Sequence, residues 1–295
     1  MRTRIALAFV LTAAVLGCDS SPGKGNGDGG GGGGGNGDGG GGGGGGDLGG
    51  TDPSSGVITL TVRDFKLYSM SDATTNPDFE NVPKTDQQGN PSTTYLGPWD
   101  DKEVVTDTLG ADNKPVYKNT AGKTLTTHGK SGFDQWYRDV PGTNIKVDFP
   151  ITLTQAADGT YGYDSNVSGV LYGPGSPDRM FFPIDDGGGY ATAFGNQGDP
   201  HNYSFTVESH TVFTYTGGET FRYRGDDDVF VYINKKLLIN LGGIHDPENG
   251  MVMVDSLGLT KGQTYPLDFF FAERHKGGSN VLFTTTLKLS QAPIM

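Results

Sequence analysis

The fold class follows from one stretch, Thr220-Phe221-Arg222-Tyr223-Arg224-Gly225-Asp226-Asp227-Asp228-Val229-Phe230-Val231-Tyr232-Ile233. Two short runs rich in β-branched and aromatic residues flank a glycine and three aspartates, which is the pattern of two strands joined by a tight loop. Similar alternating runs follow one another after Val57, separated by about ten residues, and none has a helical period of apolar residues. The sequence therefore predicts an all-β chain, arranged as an antiparallel β-sandwich with long loops.

The same alternation predicts the other strands. Ile58 to Val62 forms the first, and the run from Ile145 to Leu153 forms another, which Pro150 marks as an edge strand or a break. Further strands are predicted in the C-terminal half: Tyr203 to Val207, Val212 to Thr216, Leu237 to Leu241, Thr264 to Phe271 and Val281 to Leu289. Residues 64–144 have little strand signal, so we expect either long loops or a subdomain packed on the sandwich.

Charge and cysteine content exclude several classes of protein. The chain has 22 Lys and Arg against 34 Asp and Glu, a net charge of −12. Nucleic acid is not an expected partner, because phosphate binding needs clustered basic residues. The chain has one cysteine, Cys18, so we expect neither disulfides nor a thiolate zinc site.

The N-terminus has the pattern of an export signal. Two arginines precede a short apolar run from Ile5 to Leu16, which is too short to span a bilayer. Val15-Leu16-Gly17-Cys18 resembles the bacterial lipobox, so we predict a signal peptide at 1–17, lipidation of Cys18 and a membrane-anchored bacterial lipoprotein of the cell envelope or surface. The alternative is a plain signal peptide in which the cysteine stands by chance.

A glycine-rich segment follows the predicted anchor. Gly23 to Gly50 contains 21 of the chain's 50 glycines and cannot bury apolar surface. Residues 18–56 are therefore predicted to be a disordered tether, and residues 57–290 a single folded domain. The lipid anchor is the only membrane contact that we expect.

The acidic loop is the candidate metal site. Three adjacent carboxylates repel one another, and Ca²⁺ takes six to eight oxygen ligands in flexible geometry. We therefore predict Ca²⁺ as a cofactor bound by Asp226 and Asp227, with Asp228 assisting; the alternative is a solvated acidic turn. Alternate residues of a strand face opposite ways, so Asp226 and Asp228 would share a side in regular β geometry.

Enzyme motifs are missing from the sequence. The five histidines have no HExxH or comparable spacing, and neither a GxSxG elbow nor an uncommitted cysteine supplies a nucleophile. A pair of glycosidase carboxylates remains an alternative, since its two acids can be distant in sequence. Aromatic residues such as Trp99, Trp136, Tyr137 and Tyr172 are expected mainly in the core, although exposed rings are good platforms for sugars.

Several ordered motifs resemble the fibro-slime domain, a surface module related to the PA14 β-sandwich. They begin with Arg63-Asp64-Phe65 and Asn76-Pro77-Asp78-Phe79-Glu80, and they include the acidic loop. The others are Lys114-Pro115-Val116-Tyr117, Phe133-Asp134-Gln135-Trp136-Tyr137-Arg138-Asp139, Phe181-Phe182-Pro183-Ile184-Asp185, His201-Asn202-Tyr203-Ser204-Phe205-Thr206, Leu241-Gly242-Gly243-Ile244-His245 and Phe270-Phe271-Ala272-Glu273-Arg274-His275. Lys235 departs from the family, which usually has glycine at that turn.

The resemblance implies a function for the acidic loop. In PA14-type lectins two adjacent aspartates bind the calcium ion that holds sugar hydroxyls, and Asp226-Asp227 resembles that pair. The resemblance also implies a cis peptide between Asp226 and Asp227, which would bring their two carboxylates together. As neighbours of the ligand site we expect His245, Arg274, His275 and Asn280. The predicted function is a surface-tethered, non-enzymatic carbohydrate-binding or adhesion module whose partner is an extracellular glycan or matrix component. A structural envelope module without specific sugar binding is the alternative, and a glycan hydrolase is a third.

Overall fold

The computed structural model describes residues 56–79, 99–173, 176–185 and 194–292. The predicted signal peptide, Cys18 and the tether lie outside these residues. Strands make up 41% of the described residues and helices 6%, which confirms the all-β prediction. None of the helices within the described ranges has the length and apolar character that crossing a membrane requires.

The larger sheet has seven strands in the order β11-β10-β14-β8-β1-β3, with β16 also paired to β8. All of its pairs are antiparallel. Its members are β1 (Val57–Phe65), β3 (Asn144–Thr152), β8 (Phe205–Thr214), β10 (Asp228–Ile233), β11 (Lys236–Leu241), β14 (Thr264–Glu273) and β16 (Ser290–Gln291).

The second sheet has five strands in the order β13-β9-β15-β5-β4. They are β4 (Thr154–Gln155), β5 (Tyr161–Asp164), β9 (Thr220–Gly225), β13 (Glu248–Met253) and β15 (Val281–Thr285). Two further antiparallel pairs complete the strands, β2 (Trp99–Asp100) with β12 (Gly243–Ile244), and β6 (Val170–Leu171) with β7 (Arg179–Met180). The short helices are α1 (Lys130–Phe133), α2 (Ser165–Ser168) and a 3₁₀ turn at Val254–Leu257.

The core between the two sheets consists of the apolar side chains that alternate with polar ones along the strands. On β9, Phe221 and Tyr223 are buried in it, while Arg222 and Arg224 face outward. On β10, alternate residues from Val229 to Ile233 enter the same core. A side chain of this size contributes roughly 1.5–3 kcal/mol when fully buried.

A second aromatic cluster covers the outer face of the seven-stranded sheet. Phe230 and Tyr232 of β10 point into it and meet Trp136, Phe133 and other residues that precede β3. We call these residues, 99–143, the outer layer. Of the two alternatives for residues 64–144, the described part is thus a packed layer, which explains why β10 is buried on both faces.

Three strands test the sequence patterns in detail. β3 ends the sheet order, as Pro150 predicted. The two strands predicted from Tyr203 to Thr216 are one continuous strand, β8, because β14 pairs with its whole length. β13 was not predicted, since Glu248, Asn249 and Gly250 give its first half no apolar alternation.

Candidate functional site

The acidic residues lie in the loop between β9 and β10, at one end of the sandwich. Gly225 ends β9, and a Cβ at this position would lie 2.1 Å from the Asn280 carbonyl oxygen and 2.3 Å from the Tyr223 hydroxyl. Only glycine fits so close to the chain that enters β15. The peptide between Asp226 and Asp227 is cis, the geometry expected for a convergent pair of carboxylates.

Asp226 is held against Asn280. Its Oδ1 accepts the Asn280 backbone N–H at 2.5 Å, and its Oδ2 accepts the Asn280 side-chain amide at 2.8 Å. Burial raises the pKa of Asp226, and these two hydrogen bonds oppose that rise. Asn280, which we expect near the ligand site, therefore lies against the acidic loop.

Asp227 has an incompletely satisfied carboxylate. Its Oδ1 accepts the His245 backbone N–H at 3.3 Å, but its buried Oδ2 has no hydrogen-bond partner among the described residues. Burial raises the pKa of Asp227 well above its usual value; Arg274 opposes this rise, and the Asp226 and Asp228 carboxylates add to it. A buried carboxylate in this state favours either a proton or a cation.

Asp228 and Arg274 pair with each other and lie apart from this group. Asp228 Oδ2 accepts from Arg274 Nε at 2.7 Å, and its Oδ1 accepts from Gly243 N–H at 2.8 Å. Asp228 begins β10 on the face of Phe230, so it points toward the outer layer. The Arg274 guanidinium lies there too, 4.6 Å from the centre of the Trp136 ring.

A cavity of about 250 Å³ opens beside the aspartate pair. It is lined by Asp226, Asp227, His245, His275 and Asn280, together with Met180 of β7, residues 276–278 and residues 244–247. The structure thus brings together five of the seven residues predicted for the metal and ligand site. It separates the other two, Asp228 and Arg274.

The two histidines form part of the wall. The ring nitrogens of His245 lie 2.9 Å and 3.1 Å from the carbonyl oxygens of Asp246 and Leu241, so hydrogen bonds hold its ring in place. His275 is buried just beyond the end of β14 and lines the cavity. Lys276, next in the chain, forms an ion pair with Asp199.

Glu273 is a buried acid that the sequence patterns did not single out. Asp228 pairs with Ala272 across β10 and β14, so Glu273 stands next to Asp227, one position further along the ladder. It is fully buried, and the donors near its carboxyl are the Ser279 side chain and the His275 backbone N–H. Burial raises its pKa well above the usual value, and the Asp227 and Asp226 carboxylates add to this rise. The sequence signal that could have identified Glu273 is its place as an acidic residue at the end of the apolar strand β14.

The donors at the cavity are hard oxygen groups, which fit Ca²⁺. Within the described residues, no three His, Cys, Asp or Glu side chains are grouped to hold a metal. An ion here would therefore depend on the two carboxylates of Asp226 and Asp227, with amide and carbonyl oxygens and water as its other ligands.

Most aromatic residues lie in the core, as expected. Trp99, Trp136 and Tyr137 are buried, and so are Phe181 and Phe182. Tyr172 is the exception among those described, with 37% of its surface exposed. Tyr190 lies outside the described residues.

Comparison with known proteins supports the broader part of the resemblance. Residues 190–294 match the PA14 domain model, and this range contains the acidic loop and the cavity residues from Asp226 to Asn280. The β-sandwich with the aspartate pair at one end is consistent with that match. The finer assignment, to the fibro-slime domain, rests on the sequence motifs alone.

Three similar proteins come from Dictyostelium discoideum. Protein psiR is 38% identical over 214 residues, covering 72% of this chain and 20% of the relative. Protein psiD is 39% identical over 196 residues, covering 63% of this chain and 36% of the relative. Protein psiC is 36% identical over 234 residues, covering 76% of this chain and 40% of the relative. These relatives are not bacterial lipoproteins, and the chain spans well under half the length of each.

Two solved glycosidases align weakly with part of the chain. A GH31 α-xylosidase from Xanthomonas citri aligns over 52% of this chain and 13% of its own, at 14% identity and a TM-score of 0.27. A β-glucosidase from Kluyveromyces marxianus aligns over 45% of this chain and 18% of its own, at 14% identity and a TM-score of 0.24. Likeness at this level carries no argument about activity. The chain is therefore similar to PA14 domains over residues 190–294, and to the Dictyostelium psi proteins over most of its length.

Proposed function

We propose that this chain is a calcium-dependent carbohydrate-binding or adhesion module of the fibro-slime type, with its ligand site at the cavity beside Asp226 and Asp227. The PA14 domain is a carbohydrate-binding and adhesion type of module, which supports the broad class. Folds of this kind host several functions, so the specific proposal has to rest on the site.

The observation that carries the proposal is the unpartnered Oδ2 of Asp227. A buried carboxylate oxygen without a donor is costly, and here it lies next to the carboxylates of Asp226 and Glu273. Arg274 is engaged with Asp228 on the other face. A divalent cation would offset the remaining negative charge.

The residues that would hold Ca²⁺ are Asp226, Asp227 and Asn280. The Asn280 side-chain nitrogen is used on Asp226, which leaves its amide oxygen for the ion. Bound calcium supplies positive coordination sites that attract sugar hydroxyl oxygens. The chain's own part is to keep the two carboxylates close together and partly shielded from water.

Two alternatives predict different results. A structural envelope or matrix module would show no specific sugar binding, and a glycan hydrolase would turn over its substrate. The cavity has paired carboxylates, but both already have a described role in holding Asn280 and His245. A non-catalytic module therefore has the better support.

A glycan array separates these functions. Biotinylated protein spanning residues 57–290 is applied in Ca²⁺ and again in EDTA. The proposal expects binding to a defined set of glycans that EDTA abolishes, with the printed glycans intact by mass spectrometry. Binding that persists in EDTA, or no binding in either buffer, would refute calcium-dependent recognition.

Surface tethering is a separate part of the proposal and rests on the sequence alone. Cys18 would carry the lipid and residues 18–56 would hold the domain away from the membrane. Replacing Cys18 with Ser in the full chain should move the protein from the membrane fraction to the soluble fraction. A variant that stays membrane-bound with unchanged mass would disprove lipidation.

A further inference from the structure

Three aromatic rings form a stack that is joined to the cavity wall through Gly277. His201 lies parallel to Phe182, with centroids 4.0 Å apart and planes inclined by 5°, and Tyr172 lies on the same imidazole at 5.7 Å and 15°. His201 Nδ1 is fixed by the Asp185 carboxylate at 2.5 Å. The stack therefore begins in the core at Phe182 and ends at the surface with Tyr172.

Tyr172 is attached to the cavity from two sides. Its hydroxyl donates to the Gly277 carbonyl oxygen at 3.1 Å, and Gly277 lines the cavity. Tyr172 also follows β6 directly, and β6 pairs with β7, whose Met180 lines the same cavity. The Tyr172 side chain is thus tied to the cavity wall at Gly277, and the strand that precedes it is paired with Met180 of the same wall.

The side chain has the properties of a preorganised ligand platform. It keeps 37% of its surface exposed although its ring is packed on His201 and its hydroxyl is bonded. A fixed aromatic side chain loses little rotamer entropy when a ligand covers its free surface. Tyr172 lies outside residues 190–294, so nothing in the PA14 match accounts for it.

We propose that Tyr172 is the stacking residue of the ligand site and selects a pyranose sugar. Such a sugar has an apolar face of C–H groups and, beside it, vicinal hydroxyls. The apolar face would cover the Tyr172 ring while the hydroxyls meet the cation held by Asp226 and Asp227. This inference rests on the proposed function and adds the ligand's shape to it.

The test compares Tyr172→Ala with Tyr172→Phe. Phenylalanine keeps the ring and removes the hydroxyl, with its bonds to Gly277 and Tyr203, whereas alanine removes the ring as well. Leu171→Ala is the matched control, because Leu171 is the exposed apolar residue that ends β6, immediately before Tyr172. The probes are Ca²⁺ alone and methyl pyranosides of mannose, galactose, glucose and fucose, each titrated by calorimetry with and without Ca²⁺.

We expect wild type, Tyr172→Phe and Leu171→Ala to bind the same pyranoside with similar affinity, and Tyr172→Ala to bind it about tenfold more weakly. Ca²⁺ affinity in the absence of sugar should be the same in all four proteins. A loss of sugar affinity with unchanged Ca²⁺ affinity would assign the effect to the ring.

Four results would overturn the inference. Unchanged sugar affinity in Tyr172→Ala excludes stacking, and equal losses in the Phe and Ala variants assign the effect to the hydroxyl. Wild type that binds Ca²⁺ but no pyranoside excludes this ligand class while leaving the cation site intact. Wild type that binds no Ca²⁺ defeats the proposed function and this inference together.

Discussion

At the scale of single residues, three consecutive aspartates have two different roles. Asp226 and Asp227 face the cavity, whereas Asp228 forms a buried ion pair with Arg274. The sequence predicted the acidic loop as a site because like charges need a compensating group. It could not show that Arg274 pairs with Asp228. That pairing depends on the face of β10 on which Asp228 lies and on the direction of the Arg274 side chain after the end of β14.

Removing the carboxylate of Asp228 should destabilise the fold. Asp228→Asn leaves the Arg274 guanidinium buried without its charge partner, which typically costs about 3–5 kcal/mol. Asp112→Asn is the control, because Asp112 pairs with Arg138 at the surface and such pairs contribute about 1 kcal/mol or less. Urea denaturation measures both, and an Asp228→Asn effect no larger than that of the control would contradict the role of this pair.

The calcium-free protein should be more stable at pH 5.5 than at pH 7.5. The pKa of Glu273 is raised by burial, so above the ordinary carboxyl range the folded state binds its proton more tightly than the unfolded state does. Stability is then present while the carboxyl is protonated and falls as pH rises toward the raised pKa. The raised pKa of Asp227 adds to the same loss of stability with rising pH.

Thermal unfolding in EDTA across this pH range provides the measurement. Glu273→Gln removes one of the titrating groups and should make the melting temperature depend less on pH. Melting temperatures that do not change with pH, or a slope that Glu273→Gln leaves unaltered, would show that Glu273 is not held protonated by burial.

At the scale of elements, the hairpin β10–β11 contains a strained turn. Asn234 and Lys235 both have positive φ, 51° and 66°, as a type I′ turn requires. Asparagine tolerates this conformation, but lysine does not favour it. Lys235 is also the position at which this turn departs from the fibro-slime pattern.

Lys235→Gly should therefore stabilise the protein by about 0.5–1 kcal/mol. The strain relieved in the folded state exceeds the extra freedom that glycine gives the unfolded chain. Lys236→Gly, at the first position of β11, is the control and should be destabilising, because glycine weakens a strand. Chemical denaturation compares the two, and a destabilising Lys235→Gly would contradict the strain argument.

The strands were predictable where apolar residues alternate and were missed where they do not. β9 and β3 follow their sequence patterns, while β13 depends on its ladder with β9 from Met253 to Glu248. The outer layer was undecided from sequence because Trp136 and Phe133 are isolated aromatics in polar surroundings. Their burial becomes visible only when they meet Phe230 and Phe270 of the sheet.

At the scale of the whole molecule, the predicted domain limits of 57–290 remain to be tested. Dense pairing links β1 near the start to β16 near the end through β8. Limited proteolysis should first cut the Gly-rich segment and leave one resistant fragment. Early division into two stable fragments near residue 145 would contradict a single domain.

The central proposal is a cation site at Asp226 and Asp227, and calorimetric titration of Ca²⁺ into EDTA-stripped wild type tests it most directly. Asp227→Asn changes the carboxylate with the unpartnered oxygen, and Asp148→Asn on the edge strand β3 is the matched surface control. We predict one Ca²⁺ per chain in wild type and Asp148→Asn, and a loss of affinity of at least about tenfold in Asp227→Asn. No calcium binding by wild type, or equal binding by Asp227→Asn, would contradict the site and leave an acidic loop without a metal.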